Sequence, residues 1–120
     1  MTHNSVKDVW TVKLLHRNRD IRHGECDVVG LVRVVTWPYP GEPHPVTRGD
    51  IAQLIWETTD ISDNWKTHEI LDPDSYHFHI IRLSTEARRT KVGDLLLFHD
   101  GIVAEVGASG FNYFGLSFKV

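Results

Sequence analysis

The stretch Ser-Tyr-His-Phe-His-Ile-Ile-Arg-Leu-Ser, residues 75–84, sets His77 and His79 two positions apart among strand-forming residues. In an extended strand, residues i and i+2 face the same side, roughly 6.5–7 Å apart. Two imidazoles held that way can converge on a divalent metal ion or share proton-transfer work near neutral pH. A metal centre needs three or four ligands and a supporting shell. His99, His68 and Glu86 are the candidates to complete one, and His77, His79 and His99 form the preferred set. Without a metal, the same three histidines are the candidate acid–base group, with Asp94, Glu86 or Asp100 to orient a ring. The spacing fits a plainer arrangement equally well: a half-exposed sheet with Tyr76, Phe78 and Ile80 turned inward and both histidines outward.

His77-x-His79 is similar in spacing to the first motif of the cupin family, in which His-x-His is followed a few residues later by Glu and then by a His on a later strand. Glu86 stands too far along, and His99 arrives early. The departure falls on the third ligand, so cupin chemistry is not assigned. Lys91–Phe98, Lys-Val-Gly-Asp-Leu-Leu-Leu-Phe, resembles the Gly-Asp turn that opens a strand in many small β-barrels, including PUA-like and ASCH domains. That resemblance implies an RNA or nucleotide ligand and places Asp94 near a binding cleft. As chemistry alone, glycine permits the tight turn and Asp94 can accept from backbone N–H groups beside it.

A stiff segment, Trp37-Pro-Tyr-Pro-Gly-Glu-Pro-His-Pro45, holds four of the five prolines. Such a loop loses little entropy on docking, and its Trp37 and Tyr39 are good contact anchors. With Trp56 and Trp65 they form a candidate rim for a ligand or partner, or a cap over one end of a sheet. Cys26 follows His23, but a thiolate nucleophile needs an assured base, and a lone cysteine opening a Val-rich run also reads as a small core residue. The chain carries no phosphate-binding Gly-rich loop, HExxH or GxSxG motif.

These residues belong to a chain of ordinary globular make-up, with 41% apolar and 24% charged residues in 120. That length predicts a single domain spanning residues 1–120. The net charge of −3 is not the footprint of a nucleic-acid-gripping surface. RNA or nucleotide binding would require Arg17, Arg19, Arg22, Arg88 and Arg89 to cluster. No long apolar run predicts a membrane span, and the N-terminus has no apolar signal core. With Cys26 the only cysteine, the expected compartment is the cytoplasm. Eight histidines predict a net charge that swings between pH 5 and 8.

The positioning elements follow from periodicity. Residues 9–15 alternate as a strand, and 26–37 form a Val-rich run of the kind covered on both faces, with Gly30 marking a bulge. Thr47 and Asp50 have capping-box spacing, which predicts a helix over 48–59 with Ile51, Leu54, Ile55 and Thr58 on its apolar side. Residues 61–75 read as irregular. Strands follow at 76–83 and in a hairpin around His99-Asp100-Gly101, and a last strand closes the chain. The expected fold is α+β, mostly β: an antiparallel curled sheet or small β-barrel of about six strands with one main helix.

Two functional classes fit. One is a small non-catalytic binding module for a protein partner or a small ligand such as a nucleotide, using the Pro-aromatic loop and a cleft of the sheet. The other is a small enzyme built on His77, His79 and His99, with or without a divalent metal.

Overall fold

In the computed structural model, the described residues are 8–17, 26–36, 47–72, 76–83 and 88–115. They form seven strands and one helix: β1 (Asp8–Arg17), β2 (Cys26–Thr36), α1 (Arg48–Thr59), β3 (His68–Asp72), β4 (Tyr76–Arg82), β5 (Leu95–Phe98), β6 (Ile102–Gly107) and β7 (Gly110–Gly115). All seven strands belong to one sheet in the order β3-β4-β2-β1-β5-β6-β7, and every pairing is antiparallel. The fold is thus α+β and mostly β, as expected. The sheet does not close into a barrel, because β3 and β7 are its free edges.

The β1–β2 hairpin is the centre. Leu14 lies opposite Gly30 and Leu15 opposite Val28, so β2 carries one extra residue there. This is the bulge expected at Gly30. The glycine is needed for space: a Cβ would sit 3.3 Å from Trp65 Cη2 and 3.4 Å from Leu14 Cβ.

Strand alternation sorts the side chains onto two faces. Val12, Leu14, Val32, Val34, Phe78 and Ile80 are buried on one face, where α1 packs with Ile51, Ala52 and Ile55. Trp65, 2% exposed, completes that core. The helix has the expected bounds and starts at the capping box: Thr47 Oγ1 accepts from the Asp50 N–H, and the Asp50 carboxylate accepts from the Thr47 N–H. Its buried stripe differs from the expected one, being Ile51, Ala52, Ile55 and Thr59. Leu54 and Thr58 are only half-buried, and at the last turn the buried Thr59 is held to the β4–β5 connection, its carbonyl accepting from the Thr90 N–H.

Two further expectations are corrected. Residues 68–72, read as irregular, form edge strand β3 paired to β4. The Val-rich β2 is not covered on both faces along its length: Val35 is buried on the second face, but Val28 and Leu31 are 42% and 39% exposed and Arg33 is exposed beside them. The β5–β6 hairpin turns as expected through His99-Asp100-Gly101, with Gly101 at φ +90° and its N–H donating to the Phe98 carbonyl. Among the described residues no helix is long and apolar enough to cross a membrane.

Candidate functional site

The face of the sheet opposite α1 carries a groove of about 540 Å³. It is built from two neighbouring cross-strand rows. In the first, Leu97 lies opposite Lys13, Lys13 opposite Leu31, and Leu31 opposite Ile81, across β5, β1, β2 and β4. In the second, Thr11 lies opposite Arg33 and Arg33 opposite His79, and His99 joins at the end of β5. One row is mainly aliphatic; the other is polar.

His99 is fixed by the backbone of β1. Its N–H donates to the Thr11 carbonyl at 2.9 Å, and its Nδ1 accepts from the Thr11 N–H at 3.3 Å. A ring that accepts at Nδ1 carries its neutral-state proton on Nε2, which is therefore a donor. The ring also meets Trp10 edge-on, with centroids 5.8 Å apart. Trp10 and Phe98 in turn lie under the Arg48 guanidinium, 5.2 and 4.7 Å from its centre, and Arg48 forks onto the Asp100 carboxylate. The start of α1 is thus tied to the hairpin that presents His99.

His77 and His79 both point to the groove side of β4, with Phe78 and Ile80 fully buried on the other. Their rings stack with centroids 6.4 Å apart and planes 13° from parallel. His77 Nε2–H donates to the Glu69 carboxylate, whereas His79 lines the groove with His99. Among the described residues, no group of three His, Cys, Asp or Glu side chains is arranged to hold a metal ion. His68 sits on β3 facing a separate depression beside Trp65 and Ile70.

Of the other candidates, Trp65 lies in the core and donates its indole N–H to the Arg88 carbonyl. Trp56 is half-buried beside Val106 and Phe111, on the helix side of the sheet. Trp37, Tyr39, Glu86, His23, Arg19 and Arg22 fall outside the described residues, and so does the whole Pro-aromatic loop.

Asp94 is 1% exposed and accepts from both guanidinium nitrogens of Arg88 and from the backbone N–H groups of Arg17 and Lys91. Burial alone would push its carboxyl up. The Arg88 hydrogen bonds and the two backbone donors outweigh that and hold it below the usual aspartate value. Beside it, His16 is 5% exposed, with Nε2 bonded to the Thr90 hydroxyl and Nδ1 without a partner. Burial lowers its pKa to about 4, and the nearby Asp94 charge only partly opposes this. Arg17 pairs with Glu105 and Arg88 with Asp94, so these two arginines are neutralised by acids of the chain.

The groove's cations were missed by sequence reasoning. Lys13 and Arg33 interrupt apolar runs at alternate positions, which is the signature of an open sheet face. That signal was present in Val-Trp-Thr-Val-Lys-Leu-Leu and in Val-Gly-Leu-Val-Arg-Val-Val. Comparison with protein-family models, with curated proteins and with solved structures gives no match.

Proposed function

We propose that this chain is a non-catalytic binding module that takes a small ligand in the groove on the open face of its sheet. One observation carries the reading. Four adjacent strands present a concavity of about 540 Å³, within the roughly 300–1,000 Å³ typical of small-molecule sites, on the face that the helix leaves bare. Its aliphatic row supplies a contact surface, and its polar row supplies donors that orient a ligand.

A neutral fluorescent probe, N-phenyl-1-naphthylamine, tests the groove without reference to charge. Saturable fluorescence enhancement by the native protein is expected, with loss of at least tenfold in affinity in Leu31→Glu and in Ile81→Ser. Both positions face outward, so both variants should keep the wild-type circular dichroism spectrum. No enhancement, or enhancement unchanged in both folded variants, overturns the reading. Zinc and nickel titrations of tag-free protein run in parallel. A metal-dependent rise in thermal midpoint that is lost in His77→Ala and His79→Ala would favour the enzyme reading instead.

A further inference from the structure

We infer that the ligand of this groove is a monoanion with an extended apolar body, a carboxylate on an aliphatic chain being the type. The inference rests on the binding-module reading and adds the chemistry of the ligand to it.

The charge distribution is the first ground. The chain as a whole carries −3, yet the described residues lining the groove include Lys13 and Arg33 and no acid. Three arginines elsewhere are paired with acids: Arg17 with Glu105, Arg48 with Asp100, Arg88 with Asp94. Among the described residues, Lys13 and Arg33 have neither an ion-pair nor a hydrogen-bond partner. Glu69, next in the row beyond His79, is engaged by His77. Two unpaired cations facing one concavity in an acidic protein form a local positive field suited to an anion.

The layout of the rows is the second ground. Arg33 stands directly between Thr11 and His79 on its neighbouring strands, so a guanidinium, a hydroxyl and an imidazole share one row of the groove. A guanidinium matches a carboxylate with two parallel hydrogen bonds, which a lysine alone would not supply. His99 Nε2–H, left free by the Nδ1 bond to Thr11, adds a donor at the end of the same row. The parallel row, Leu97, Lys13, Leu31 and Ile81, spans three inter-strand gaps, roughly 14 Å at about 4.8 Å each. Leu31 and Ile81 are 39% and 41% exposed there. Lys13 stands between Leu97 and Leu31 in that row, and its hydrocarbon stem adds apolar surface beside its charge. A head group on Arg33 with a body along Leu97, Leu31 and Ile81 uses both rows at once.

Displacement of bound N-phenyl-1-naphthylamine by three equal-length amphiphiles tests this directly. Decanoate should displace it at a concentration at least tenfold lower than decanol, and decyltrimethylammonium should be the weakest. In the Arg33→Gln/Lys13→Gln variant the decanoate advantage should vanish while the probe still binds. Equal potency of decanoate and decanol, or an advantage that survives the double substitution, overturns the anion inference and leaves the groove reading standing. Calorimetric titration with decanoate, without the probe, provides the second measurement. Binding heat that the double variant lacks supports the inference, and absence of heat in the wild type overturns it.

Discussion

Arg88 grips the carboxylate of Asp94 with both guanidinium nitrogens, at 2.6 and 2.8 Å, where the acid is 1% exposed. The same carboxylate holds the Arg17 and Lys91 N–H groups, so one side chain joins the end of β1 to the β4–β5 connection that crosses it. Removing Arg88 leaves a buried charge without its counter-ion. Arg88→Met should therefore cost about 3 kcal/mol in urea unfolding. The folded Asp94 pKa lies below the unfolded one, so its contribution is complete above the ordinary aspartate value, roughly 3.9. It is lost as the pH falls through the folded value. The acid-unfolding midpoint of Arg88→Met should move up in pH; an unchanged midpoint would show that the pair does not hold the crossing.

His16 predicts a second, separate pH dependence. Its folded pKa of about 4 lies below the free-histidine value of 6.5, so between the two the unfolded chain binds a proton that the folded chain refuses. Stability should rise by about 3 kcal/mol from pH 4 to 6.5 on this account and gain nothing further from it above. In His16→Leu/Thr90→Val, which removes the Nε2–hydroxyl bond and the partnerless Nδ1 together, that slope should disappear. At pH 7.5 the double variant should be near wild-type stability, because both polar partners leave as a pair. Urea unfolding at four pH values measures both effects.

Gly30 and Trp65 predict a coupled pair. Gly30→Ala brings a methyl to 3.3 Å from the buried indole and 3.4 Å from Leu14 Cβ, and should cost about 1–3 kcal/mol. Trp65→Phe shortens the ring and forfeits the hydrogen bond to the Arg88 carbonyl, at a cost of about 1–2 kcal/mol. Combined, the two should cost less than the sum of the parts, because the smaller ring makes room for the methyl. Strict additivity in a double-mutant cycle would contradict the packing described.

At the start of α1, Thr47→Ala should cost about 1 kcal/mol through loss of the cap. Arg48→Ala should cost a similar amount, since it removes the stacking over Trp10 and Phe98 together with the exposed pair to Asp100. Its distinguishing mark is a change at the His99 ring in the proton spectrum, which Thr47→Ala should not produce.

The elements whose evidence is local were legible in the sequence. The capping box gave the start of α1 and apolar periodicity its length, Gly30 its bulge, Gly101 its hairpin, and alternation the sidedness of His77 and His79. Strand β3 was not legible: His-Glu-Ile-Leu-Asp has no alternation, and only pairing with β4 makes it a strand. The groove was not legible either, because Leu97 and Lys13 meet through a β1–β5 pairing between distant parts of the chain. Composition held half of that answer, in the two cations set among valines and leucines.

The strand order has a kinetic consequence. The β1–β2 hairpin closes locally, but each flank of it receives its neighbour from much later in the chain, β4 on one side and β5 on the other. Val12 cannot meet Phe98 until most of the polypeptide has been made. During synthesis the central ribbon therefore waits with both margins bare. Refolding should run in milliseconds to seconds rather than microseconds, as expected where distant contacts dominate.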